Sequence, residues 1–114
     1  MTNVSQYTFR NSGLTSVELP SNLMSIDEGG FSFCANLTSI DLPNSLTEIG
    51  VTSFSGAGLI NVDIPDSVTT IGEAAFVNCS GLTDVNLPDG LTTIGESVFP
   101  VSYTHLTLPT IYSV

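Results

Sequence analysis

Lysine is missing from this chain, and Arg10 is its single strong base, set against eleven carboxylates for a formal net charge of −10. Proteins hold nucleic acid by displacing counterions from phosphates with Lys or Arg, and they grip anionic membrane surfaces with the same residues. No nucleic-acid partner and no peripheral membrane anchor is therefore expected. No run of 18 apolar residues occurs, so no membrane insertion by this segment is expected either. The opening residues 1–13 lack the basic and apolar regions of a secretory signal. Histidine occurs once, as His105, outside the repeated part of the chain, which leaves the repeats without an imidazole base. Charged residues make up 11% of the chain and hydrophobic ones 41%, so the acids do not form a disordered tail but are spread one or two per repeated unit.

What is present is one motif written four times. The run LTSVELPSNLMSIDEGGFSFCAN starts at Leu14, and its copies start at Leu37, Leu59 and Leu82. Six apolar columns stay in phase: Leu14/Leu37/Leu59/Leu82, Val17/Ile40/Val62/Val85, Leu19/Leu42/Ile64/Leu87, Leu23/Leu46/Val68/Leu91, Ile26/Ile49/Ile71/Ile94 and Phe31/Phe54/Phe76/Phe99. A unit of about 23 residues cannot bury its apolar face alone and must stack on its neighbours, which predicts a solenoid.

Within V-E-L-P and its copies, apolar and polar residues alternate with the period of a half-buried strand. That strand should stop at Pro20, Pro43, Pro65 and Pro88, which have no N–H for a ladder. The L-T-x-I-G stretch predicts a second short strand, with Gly50, Gly72 and Gly95 permitting the turn that follows. One helical or 3-10 turn should carry each chain into its Phe. Stacked coils then place equivalent side chains about 4.8 Å apart, with the Phe residues from Phe31 onward all inside as an aromatic row. The link from Phe54 to Leu59 is one residue shorter than those from Phe31 to Leu37 and from Phe76 to Leu82, predicting a local tightening at Gly56 and Gly58.

The pattern L-x-x-[IV]-x-[LI]-P with a downstream I-G and F-x-x-C, running from Phe9 to Phe99, resembles the BspA-like, or treponemal-type, leucine-rich repeats. The fourth motif element varies here as Cys34, Ala57, Cys79 and Ser102. The resemblance implies a leucine-rich-repeat solenoid, and a bacterial or protist protein of the cell surface or extracellular space, engaged in adhesion or protein binding. In such proteins the arrays are long and joined to other modules. The expected organisation is a truncated preceding repeat at 1–13, four repeats at 14–36, 37–58, 59–81 and 82–100, and a tail at 101–114. In the tail the phase is lost, with His105 where a Leu is due. VSYTHLTLPT, residues 101–110, resembles a translated transposon-end sequencing adaptor, so the tail is read as non-native and neither Tyr103 nor His105 enters any site.

If Val17 and Leu19 face inward, the residues between them face out, giving columns Ser16/Ser39/Asn61/Asp84 and Glu18/Asp41/Asp63/Asn86. These eight form the expected ligand-contact face, which leucine-rich repeats present to a protein or glycan partner. No metal site is expected, because Ca²⁺ asks for about six to eight converging oxygens and a flat row supplies few. Cys34 and Cys79 share a column two coils apart, about 10 Å, too far for a disulfide, and they are read as buried fillers. Catalysis and cofactors are not expected: the repeats hold no G-x-S-x-G turn and no glycine-rich phosphate cradle, and a row of carboxylates along one sheet provides no opposed acid and base. The expected role is a non-catalytic interaction module; the alternative is an architectural spacer with recognition elsewhere in the parent chain. Uncapped coil ends predict self-association.

Overall fold

A computed structural model of the chain describes residues 2–99. The expectations for the tail at 101–114 lie outside the described residues. The chain winds as stacked coils with short parallel strands: β1 Asn3–Val4, β2 Ser25–Ile26, β3 Glu48–Ile49, β4 Asn61–Asp63, β5 Thr70–Ile71, β6 Asp84–Asn86 and β7 Thr93–Ile94. Strands β1-β2-β3-β5-β7 form one five-stranded parallel sheet, in which Val4, Ile26, Ile49, Ile71 and Ile94 pair in register. A second sheet contains only β4 and β6, pairing Val62 with Val85.

The in-phase columns form one continuous core. Leu23, Leu46, Val68 and Leu91 are buried, as are Ile26, Ile49 and Ile71, Leu37, Leu59 and Leu82, and Phe31, Phe54 and Phe76. Five phenyl rings lie one over another, from Phe9 through Phe31, Phe54 and Phe76 to Phe99, with centroids 5.2, 5.4, 5.3 and 5.9 Å apart and interplanar angles of at most 11°. Parallel rings that are slipped rather than eclipsed avoid setting one π face squarely on another. At the corner, the carbonyls of Pro20, Pro43, Pro65 and Pro88 each accept the N–H three residues on, from Leu23, Leu46, Val68 and Leu91. The prolines therefore end one straight piece and open the turn into the next.

Three features differ from the sequence expectation. The first is the order of the two strands: the I-G stretch carries the long ladder, and the V-x-L stretch pairs only between β4 and β6. The second is the segment carrying Phe, where the described residues contain no helix. There the backbone N–H groups alternate, Ser32 and Cys34 donating within the coil to Gly29 and Phe31, while Phe31 and Phe33 donate to Ser53 and Ser55 of the next coil, both at 2.7 Å. A helical turn would spend all these donors inside one coil. Alternation leaves half of them to tie neighbours together. It requires left-handed residues two places before each Phe, at Tyr7, Gly29, Thr52, Ala74 and Ser97, and two places after it, at Asn11, Phe33, Gly56 and Asn78.

The third difference is the role of Gly50 and Gly72. Neither has a positive φ. A Cβ on Gly50 would stand 2.6 Å from the Ile26 carbonyl oxygen, and one on Gly72 would stand 2.6 Å from the Val51 nitrogen. Glycine is used because adjacent coils touch backbone to backbone there, not because the turn needs a special dihedral. At the short link a close approach is present at Gly58, where a Cβ would overlap the Ala35 carbonyl oxygen, whereas Gly56, at φ +71°, shares the left-handed conformation of Asn11, Phe33 and Asn78 in its column.

Cys34 and Cys79 are free and buried. Each thiol donates to the carbonyl of the Phe in the coil before it, Cys34 Sγ to Phe9 O and Cys79 Sγ to Phe54 O, both at 3.0 Å. Burial raises the Cys34 pKa and pushes that of Cys79 from 9.0 to about 11, which keeps the Cys79 thiol protonated and unreactive at neutral pH.

Candidate functional site

All eight residues of the expected contact face are exposed: Ser16, Glu18, Ser39, Asp41, Asn61, Asp63, Asp84 and Asn86. The alternation holds at β4, where Asn61 and Asp63 flank the buried Val62, and at β6, where Asp84 and Asn86 flank the half-buried Val85. The register sets Asn61 against Asp84 and Asp63 against Asn86, and Asn86 Nδ2 donates to Asp63 Oδ1 at 3.0 Å. Both exposed cross-strand pairs thus join an amide to a carboxylate.

The same column marks where this sheet stops, since its ladder runs only between β4 and β6. Toward the preceding coils, the same column holds Asp41, which lines one hollow with Asp63, and then Glu18. Two such charges about 4.8 Å apart repel by roughly 1 kcal/mol in a water-like dielectric, comparable to the net gain of about 0.5–1.5 kcal/mol from a backbone hydrogen bond. Ile60 N–H still reaches Thr38 O at 3.0 Å, but the ladder is not carried on through Asp41. Asp41→Asn is therefore expected to extend the ladder to residues 39–41 and to raise stability by about 0.5–1 kcal/mol. Urea denaturation together with amide exchange at Ile40 and Asp41 measures this; unchanged exchange contradicts it.

Two shallow hollows lie on this face. One, of about 440 Å³, is lined by Asn61, Asp63, Asp84 and Asn86 around Val62. The other, of about 320 Å³, lies between Asp41 and Asn44 on one coil and Asp63 and Asp66 on the next. Asn44 and Asp66 were missed by alternation because they sit past the proline, yet Ser21, Asn44, Asp66 and Asp89 form a polar column in phase with the rest. Among the described residues no cluster of three or more His, Cys, Asp or Glu is placed to hold a metal ion, and no helix is long and apolar enough to cross a membrane.

A second exposed patch lies at the Phe-bearing turns. Phe33 is 45% exposed, which corrects the expectation that every Phe from Phe31 onward is inside. Phe33 and Phe31 are two residues apart, but the left-handed φ of +59° at Phe33 turns its ring outward, where it lies over Gly56 of the next coil. Tyr7 repeats the arrangement over Gly29. The Arg10 guanidinium carbon sits 5.6 Å from the Tyr7 ring centroid and 5.7 Å from that of Phe33. Tyr7 Oη donates to Glu28 Oε2 at 2.9 Å, a bond that raises the Tyr7 pKa.

Compared with known proteins, residues 2–113 match a family model described as BspA type leucine-rich repeat region, in 6 copies. The chain belongs to the BspA-type leucine-rich repeat family. Among solved structures, it is similar to a leucine-rich repeat protein of Bacteroides ovatus, with a TM-score of 0.82 and 35% identity over 86% of this chain and 26% of that one. A leucine-rich repeat protein of T. pallidum also has a TM-score of 0.82, with 33% identity over 84% of this chain and 46% of that one. The pneumococcal vaccine antigen PcpA, at 20% identity and a TM-score of 0.72 over 88% of this chain and 33% of its own, shares the fold. This BspA-type chain thus spans less than half the length of each of these proteins. A search of the curated proteins finds no match. Leucine-rich repeat domains generally mediate protein interactions and are generally non-catalytic.

Proposed function

We propose that this chain is a non-catalytic interaction segment of a longer cell-surface or secreted repeat protein, with Ser16, Glu18, Ser39, Asp41, Asn61, Asp63, Asp84 and Asn86 as the face that docks a protein or glycan. The observation that carries this reading is the exposure of all eight side chains in two columns along the stacked coils, five of them lining shallow hollows. Rigid backbone contact between coils holds their spacing, so little ordering cost falls on binding. A net charge of −10 favours a partner whose contacting surface is cationic, because complementary fields speed encounter and exclude acidic competitors.

The test is surface plasmon resonance of the chain over a panel of immobilised extracellular proteins and glycans. Changing Glu18→Gln, Asp41→Asn and Asp63→Asn together is expected to weaken capture at least about tenfold and to flatten its salt dependence. Glu73→Gln, at an exposed position in the turns on the other side of the coil, is expected to leave capture unchanged. Equal loss in both variants, or no loss in the triple variant, would assign these coils a spacer role instead.

A further inference from the structure

Arg10 is the only strong base in a chain with eleven carboxylates, and all eleven lie among the described residues. It forms an ion pair with none of them. Glu28, which lines the same hollow, is engaged instead by neutral donors: Tyr7 Oη at 2.9 Å and Gln6 Nε2 at 3.4 Å. The guanidinium is held against two exposed rings, those of Tyr7 and Phe33, which are 46% and 45% accessible. Ring contact restrains a guanidinium by its face and leaves its N–H edge free to donate two parallel bonds to a carboxylate. The hollow at this point measures about 280 Å³ and is also lined by Ser32 and Ser55.

We propose that Tyr7, Arg10 and Phe33 form a second docking surface, independent of the sheet face, which receives an acidic side chain and its apolar neighbour from a partner protein. Charge complementarity selects the acid, since the one strong cation of the described surface stands here without an ion pair, and the nearby Glu28 is engaged by Tyr7 and Gln6. The long-range repulsion of a −10 chain is screened within about 8 Å at physiological salt, so the contact acts locally. Shape favours a protein side chain, because this hollow is shallow and flanked by two exposed rings, whereas small-molecule pockets enclose most of their ligand. Tyrosine and arginine at its centre are the residue types that dominate binding energy at protein interfaces.

The sole arginine supplies a single Nε–H signal in the ¹H–¹⁵N spectrum of the full chain, which makes it a direct reporter. A blocked Leu-Glu-Leu tripeptide is expected to shift that signal saturably in the millimolar range, and the Leu-Gln-Leu counterpart to bind at least about tenfold more weakly. Arg10→Lys, read by the backbone amide signals of Tyr7 and Phe33 because the arginine reporter is gone, should lose most of the preference, since an ammonium does not donate two parallel bonds to a carboxylate. Phe33→Asn should weaken binding while the arginine remains. Asparagine suits the left-handed backbone and already occupies this column at Asn11 and Asn78, so that variant keeps the fold. Asp41→Asn, on the sheet face, should change nothing, which separates failure here from failure of the sheet-face reading. The proposal is overturned if the two peptides bind alike, if only glucuronic acid moves the signal, or if raising the protein concentration alone moves it, which would make the occupant a second copy.

Discussion

Phe76→Ala is expected to lower the unfolding free energy by about 3–5 kcal/mol. The ring of Phe76 is fully buried between Phe54, with centroids 5.3 Å apart and planes 1° from parallel, and Phe99 at 5.9 Å. A cavity left there has little means of collapsing. Phe76 N–H is bonded to Val98 O and Phe54 N–H to Ala75 O, both at 2.8 Å, so the backbones on either side hold their spacing when the ring is removed. Each coil of a solenoid touches only its neighbours, and a gap in a central coil weakens both of its interfaces at once. Urea denaturation of the variant measures the loss, and a value below about 1 kcal/mol would contradict the assignment of this ring to the core. Phe76→Leu, which fills more of the same space, should cost distinctly less.

Gly72→Ala is expected to destabilise the chain by about 2–3 kcal/mol, a large effect for one methyl group on a residue whose φ is not positive. The added Cβ would stand 2.6 Å from the Val51 nitrogen and 2.8 Å from the Gly50 carbonyl carbon. Both are backbone atoms, so no side chain can swing aside, and coils 49–51 and 71–73 would have to part. Gly81 supplies the control, because its nearest atom to a Cβ is the Leu59 carbonyl oxygen at 4.0 Å. Gly81→Ala should be neutral or stabilising by about 0.4–1 kcal/mol, through the lower entropy of the unfolded chain. Thermal melts of the two variants should move apart. Equal melting temperatures would show that the glycine column is not a coil contact.

The stacked Phe row could be read from the chain before any coordinates, because Phe31, Phe54, Phe76 and Phe99 recur in phase and a periodic apolar residue in a solenoid has one interior to occupy. The exposure of the eight contact-face residues was legible for the same reason, from alternation at V-x-L. Phe33 was not legible. FSFC contains two identical side chains two residues apart, and only the left-handed backbone at Phe33 sends one ring inward and the other out. Gly72 was seen as special for the wrong reason, since a one-dimensional reading finds the turn that follows a glycine but not the backbone lying against it from another coil. Asp41 and Asp63 were legible as neighbours in one acidic column, because each follows the V-x-L alternation in its own coil. The amide–carboxylate pairing of β4 with β6 emerged only with the register.

The amino-acid order alone therefore determined the length of the coil, the six inward columns, the proline corners and the acidic outer line, because each depends on what a residue is and how far along the repeat it stands. Tertiary structure decided which of the two straight pieces became the long ladder, that alternating turns replaced a helix, and that Arg10 came to lie against two rings without forming an ion pair. Those outcomes depend on residues about one coil apart in sequence meeting across an interface, where backbone contact, like-charge repulsion and hydrogen-bond sharing compete at energies of about 1 kcal/mol each.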